Sequence, residues 1–190
     1  FTNHIKWYPE TDKSRSSLLR TSLWIGFTLC AIFYFLPIVL QLTGNEQHKS
    51  NPNRRMIGSG RLGVAVQGVR ETIPGWEDHF VIASGHRYLT AWLAFELPDQ
   101  PRVYRVGDDT IHSQYELWPE PWADGRAGQN AIFINPGKEA TPPGFISEGF
   151  DEVRRIDTVE VLFGNGPREY TIFQCLNLTG PVRELKDDHD

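Results

Sequence analysis

Cysteine is scarce: Cys30 and Cys175 are the only two in 190 residues. Cys30 falls in a long apolar run and Cys175 in the late part of the chain. A disulfide between them is not expected, and cysteine usage gives no reading of redox compartment. No pair of cysteines or histidines has metal-ligand spacing, so no metal centre is implied. Runs of Lys and Arg are also missing. After Leu42 there are fifteen basic residues against twenty-two acidic ones, a balance of about −7, which argues against nucleic acid as a partner. G-x-S-x-G, H-E-x-x-H and the P-loop pattern are absent, so no nucleophile–base arrangement is visible and no cofactor is implied. Carboxylates are plentiful but scattered. Asp108-Asp109 and Asp151-Glu152 read as turn and surface residues rather than an acid–base pair.

One long run is conspicuous. Leu23–Leu42 (LWIGFTLCAIFYFLPIVLQL) holds no charged residue. As a helix rising about 1.5 Å per residue, it matches a hydrocarbon core roughly 30 Å thick. Pro37 would kink it, which membrane helices tolerate better than soluble ones. The run is longer than the apolar core of a typical signal peptide and begins some twenty residues in, so it reads as a retained membrane span. The flanks do not orient it. Lys13, Arg15 and Arg20 stand on one side, and Lys49, Arg54 and Arg55 on the other.

The pattern divides the chain into a polar pre-membrane segment (1–20), a transmembrane helix (21–43), a linker (44–57), a soluble domain (58–180) and a charged tail (181–190). Leu62, Val66, Val69 and Ile73 repeat on one helical face that Pro74-Gly75 ends. His79–Ala83 reads as a buried strand, Ser84-Gly85 as a turn, Tyr88–Leu97 as a helix and Arg102–Val106 as a second strand, together a βαβ unit. Residues 107–128 look irregular. Ala131–Asn135 is a third strand, suited to a parallel sheet. Residues 138–144 read as a loop. Asp157–Phe163 and Arg168–Leu176 flank Gly164-Asn165-Gly166-Pro167, a hairpin signal. The expected fold is therefore α/β: one transmembrane helix, then a small Rossmann-like domain with a C-terminal antiparallel hairpin.

Three stretches carry chemical interest, each with a plainer reading beside it. Gly58, Gly60 and Gly63 match G-x-G-x-x-G, but a polar linker precedes them where dinucleotide binding needs a strand. A glycine-rich entry to a helix is the preferred reading. His86, Arg87 and Tyr88 follow the first strand, where α/β sheets place ligands and where a helix N-terminus favours an anion; a capping histidine and a solvated arginine explain the same residues. His112, Gln114, Tyr115, Glu116 and Trp118 combine aromatic and amide groups that suit the two-sided surface of a sugar; aromatics covering a sheet edge are the alternative. Asn177-Leu178-Thr179 fits the N-glycosylation pattern, which matters only for an extracytoplasmic domain in a eukaryote.

Three segments resemble one family. Asn51–Gly58 (NPNRRMIG) is similar to a post-helix D-P-x-x-R-x-x-G-W segment, with Asn51 for Asp and Ser59 where Trp stands. Tyr88–Pro101 (YLTAWLAFELPDQP) is similar to a stretch ending A-F-Y-L-P-G-Q-P, with Glu96 for Tyr and Asp99 for Gly. Gln114–Trp118 (QYELW) resembles N-Q-Y-D-x-W, with Ser113 for Asn. The family is the bacterial polyprenyl-phosphate-sugar-dependent membrane glycosyltransferases, the dolichyl-phosphate-mannose protein mannosyltransferase-like and aminoarabinose-transferase-like proteins. The likeness runs from about Leu18 to Leu178. It implies the C-terminal accessory part of an enzyme that moves a sugar from a lipid-phosphate carrier to an extracytoplasmic glycan, lipid or protein. The start at Phe1 fits such a fragment, set in an inner or plasma membrane that the full protein crosses many times. The family's catalytic acids lie in a first extracytoplasmic loop to which no position here corresponds, so no catalytic residue is carried over. His86, Arg87, Tyr88, Gln114 and Tyr115 are the substrate-binding candidates. The alternative is a single-span anchored α/β domain that binds a ligand or protein without catalysis.

Overall fold

The computed structural model describes residues 13–45, 48–54, 56–106, 114–138, 141–164 and 166–182. The chain divides into two compact units, Phe1–Arg54 and Arg55–Asp190.

The first unit is built on helix α1, Lys13–Leu42. It starts well before the apolar run, because Lys13–Arg20 contains no helix breaker, and the hydroxyls of the next two residues fold back onto the backbone. Thr21 Oγ1 donates to Ser17 O at 3.0 Å and Ser22 Oγ to Leu18 O at 2.9 Å. Ser17–Leu42, 26 residues that include an 18-residue window of mean hydropathy 2.3, is long and apolar enough to cross a membrane, a criterion an N-terminal signal sequence also meets. Its end is closed by a Schellman pattern. Asn45 N donates to Leu40 O at 2.7 Å and Gly44 N to Gln41 O at 3.1 Å, with Gly44 left-handed at φ +70°.

The second unit is a mixed α/β domain with a five-stranded sheet in the order β2-β1-β3-β5-β4. The strands are β1 (Phe80–Ser84), β2 (Val103–Val106), β3 (Ala131–Pro136), β4 (Phe150–Phe163) and β5 (Gly166–Leu178). β1 pairs in parallel with both β2 and β3, and β5 runs antiparallel to both β3 and β4. Helices α2 (Ser59–Arg70) and α3 (Arg87–Glu96) cover one face. Three positions of the predicted helical stripe, Leu62, Val66 and Val69, lie on α2 and are buried with Val81, Ile132 and Leu93; the helix ends at Arg70, before Pro74-Gly75, and Ile73 joins the same core from the turn that follows. The opposite face buries Ile82, Phe133, Phe173 and Cys175 with Ile146 of the short helix α4 (Gly144–Gly149). Both faces being covered explains why β1 and β3 read as unbroken apolar runs rather than as alternation.

β4 begins at Phe150, seven residues before the predicted strand. Residues 151–155 are charged or half-exposed, and the strand carries a bulge between Arg155 and Asp157. An edge strand needs no apolar alternation on its solvent side, so hydrophobic patterning misses this half.

Two of the three glycines of the G-x-G-x-x-G stretch, Gly58 and Gly63, serve packing. Gly58 has φ +105°, and a Cβ there would sit 2.7 Å from Leu162 O. A Cβ on Gly63 would meet Glu96 Cβ at 2.6 Å, so α2 and α3 approach through that gap. Ser59 Oγ completes the contact by donating to Glu96 Oε1 at 2.6 Å. Among the described residues no strand precedes Gly58.

Candidate functional site

Beside β2 the domain carries an open groove of about 620 Å³ lined by Ala94, Gln100, Pro101, Arg102, Val103, Tyr115 and Trp118. One wall is the connection from α3 to β2. Pro98 stops α3 after Glu96, Leu97 turns extended, and Gln100 takes a left-handed φ of +43°. This wall is anchored from below. Arg70, fully buried at the end of α2, makes a two-pronged hydrogen bond to Asp99, 2.9 Å at each oxygen. It also donates to Gln67 Oε1 at 3.0 Å and lies 4.6 Å from the centre of the Trp76 ring. These guanidinium hydrogen bonds hold the Asp99 carboxyl below the usual carboxylate range.

The other wall is a 3₁₀ turn, Gln114–Leu117, which brings Tyr115 edge-on to Trp118 with ring centres 5.2 Å apart. Arg102 joins the walls. Its guanidinium pairs with Asp124 at 2.9 Å and lies over the rings of Tyr104, at 4.8 Å, and Trp118, at 5.7 Å. Behind it the Tyr104 hydroxyl donates to the same Asp124 carboxylate and accepts from Arg126 Nε at 3.1 Å. The Tyr104 bond, with Arg102 and Arg126 beside it, holds Asp124 below its ordinary pKa. Burial, reinforced by the bond to Asp124, pushes the Tyr104 phenol up. Asp124 is thus ionised and Tyr104 neutral at physiological pH. The groove joins an aromatic surface, partly exposed at Trp118, to the amide of Gln100 and an arginine fixed in place by its neighbours. Among the described residues its lining holds no carboxylate and no histidine.

The five predicted site residues fall into two groups at opposite ends of α3. His86, Arg87 and Tyr88 form its N-terminus. His86 Nδ1 accepts from Tyr88 N at 3.3 Å, so this histidine caps the helix. Its ring stacks on Tyr88 at 4.3 Å, Tyr88 stacks on Trp92 at 5.9 Å, and Trp92 meets Phe163 at 5.1 Å. The Arg87 guanidinium lies 5.5 Å from the Tyr88 ring centre. Gln114 and Tyr115 stand at the other end: Tyr115 lines the groove, while Gln114 is exposed on its turn. His112 lies outside the described residues, as does Asp108-Asp109. Gln100, Arg102, Tyr104, Asp124 and Arg126 were not among the expected residues. Asp124 is 22 residues from Arg102, and no spacing rule links them. The one available signal was the clustering of Trp118, Trp122 and arginines around a stretch without regular structure.

Among the described residues no group of three or more His, Cys, Asp or Glu is placed to hold a metal ion. Comparison with protein-family models, with curated proteins and with solved structures finds no match.

Proposed function

We propose that the domain is a carbohydrate-binding accessory module on a membrane anchor, the C-terminal part of an integral-membrane glycosyltransferase fed by a polyprenyl-phosphate-linked sugar. The observation that carries the reading is the groove beside β2. A sugar ring offers C–H faces to Trp118 and Tyr115 and hydroxyls to Gln100 and Arg102. The apolar span of α1 supports anchoring in an inner or plasma membrane, and the family resemblance favours an extracytoplasmic domain. In this reading the parallel strands β2-β1-β3 are a Rossmann-like half-sheet, extended by a C-terminal hairpin of β4 and β5.

Binding is tested by saturation-transfer NMR on the 190-residue chain in a polyoxyethylene detergent, with neutral and acidic oligosaccharides as probes. Sugar protons should receive saturation, and Trp118→Ala should abolish it without lowering the thermal midpoint, because Trp118 is 44% exposed. No transfer to any oligosaccharide would refute the reading. The enzymatic half is tested by sugar transfer in membranes containing the whole gene product. Loss of transfer in Trp118→Ala at normal membrane levels supports the accessory role. Unchanged transfer with intact sugar binding favours the second reading, an anchored binding domain without catalysis.

A further inference from the structure

The groove beside β2 has a charge as well as a shape. Among the described residues its lining holds one charged side chain, Arg102, and that charge is positive. Asp99, next to Gln100 on the same wall, is matched by Arg70. The background has the opposite sign, since the chain carries a formal charge of −5. An attraction for anions at the groove is therefore local, set by the groups around Arg102.

Those groups leave positive charge in excess. The ionised side chains acting on the Tyr104 hydroxyl are Asp124, Arg126 and Arg102, two positive charges against one negative. Arg126 donates to Tyr104 at 3.1 Å and to Gln129 Oε1 at 3.0 Å, and makes no ion pair of its own among the described residues. Arg102 Nη1 donates to Asp124 Oδ2 at 2.9 Å and Nη2 to Pro119 O at 3.5 Å. Two of its five N–H groups are thus used. The other three have no acceptor among the described residues, on a side chain that is 37% exposed and lines the groove. Asp124 and the rings of Tyr104 and Trp118 already fix the guanidinium, so a ligand orders it at little further cost in side-chain freedom.

We infer that the groove selects acidic saccharides, with Arg102 pairing to the carboxylate of a hexuronic acid residue while Trp118 and Tyr115 take a ring face. The inference rests on the sugar-groove reading and adds its substrate class. A carboxylate brings one negative charge, equal to the local excess. A phosphate monoester brings about 1.5 to 2 at pH 7 and would overmatch it inside an acidic domain.

The test is calorimetric titration of the full chain in a polyoxyethylene detergent at low salt. The probes are trigalacturonate and a glucuronate-containing tetrasaccharide, each beside its neutral methyl ester, with glucose 6-phosphate as a further arm. At least one acid should bind about ten- to a hundredfold more tightly than its ester, the range for hydrogen bonds to a charged group. Raised salt should shrink that ratio. Arg102→Gln should bring acid and ester close to equal, and Arg102→Lys, which keeps the charge but loses the fork, should retain only part of the ratio. The ester and salt comparisons use the parent protein, so they decide the matter even where Arg102→Gln lowers the thermal midpoint. Esters that bind as tightly as their acids, or a ratio that survives Arg102→Gln, would overturn the inference and leave the sugar groove standing. Tighter binding of glucose 6-phosphate than of either acid would overturn the carboxylate assignment. Binding of no saccharide, acid or ester, would refute the groove reading and this inference with it.

Discussion

Replacing Asp99 by Asn tests how the groove is held. Arg70 has a side chain only 1% exposed, and Asp99 supplies its one counter-charge among the described residues. The isosteric amide keeps one hydrogen bond at most and leaves a buried guanidinium with only Gln67 and the Trp76 ring. Breaking a fully buried pair costs about 3–5 kcal/mol. The Asp99 side chain is 39% exposed, so water screens part of the loss, and about 2–3 kcal/mol is expected. For a domain of this size each kcal/mol lowers the thermal midpoint by about 3 °C, so Asp99→Asn should melt about 6–9 °C below the parent at neutral pH. Urea titration at a series of pH values adds a sign. The folded pKa of Asp99 is lowered, so its contribution is full above the unfolded value near 3.9 and shrinks as pH falls through the lower folded value. The gap between parent and variant should therefore narrow below about pH 4. Arg70→Met/Asp99→Asn should recover most of the loss, because it removes the unpaired charge and keeps the volume. A cost under about 0.5 kcal/mol, or a gap that widens in acid, would refute the argument.

Gly63→Ala should destabilise the domain by about 1–3 kcal/mol, the cost of overpacking, since its methyl would meet Glu96 Cβ at 2.6 Å and Glu96 O at 2.9 Å. Gly68→Ala, with nothing within 4 Å, should stabilise it by up to about 1 kcal/mol through helix propensity, and parallel urea titrations check both. Cys175 is buried between β3 and β4, and burial pushes its thiol well up, so in the native domain it should resist maleimide at neutral pH and react once urea unfolds the sheet. Tyr104→Phe removes a donor to Asp124 and leaves that carboxylate to Arg102, so sugar binding at the groove should weaken while the fold persists by circular dichroism.

Much of the sheet was legible because burial on two faces leaves an unambiguous mark. Phe80–Ser84 and Ala131–Pro136 are apolar runs of strand length, and the stretch between Gly85 and Pro98 has helix formers bounded by a turn and a proline. Charge hid the rest. Residues 150–156 pair with β5 through their backbone, yet Asp151, Glu152, Arg154 and Arg155 face solvent, so nothing in their side chains signals a strand. The groove was half legible for a different reason. Tyr115 and Trp118 are neighbours on one turn, whereas Arg102 and Asp124 meet only because the chain returns to β2 after twenty-two residues. The left-handed turn at Gln100 has no glycine to announce it, and the histidine that looked like a ligand is occupied with capping α3.

The two rims of the sheet meet the surrounding water in unlike ways. β2 offers four residues, too few to template a long foreign strand, and the Gln114–Leu117 turn lies against it. β4 offers fourteen and would be the hazard: a long ribbon with unpaired backbone on one side. Its irregularity at Arg155/Asp157 interrupts that ribbon midway, and the fixed charges of Glu152, Arg154 and Glu160 would have to be stripped of water by any chain docking there. Arg155, which donates along the same strand to Thr158 Oγ1 at 2.7 Å, stands where the rim is broken. A substitution that straightened β4 would expose the domain to edge-to-edge stacking, and self-association would then rise with protein concentration.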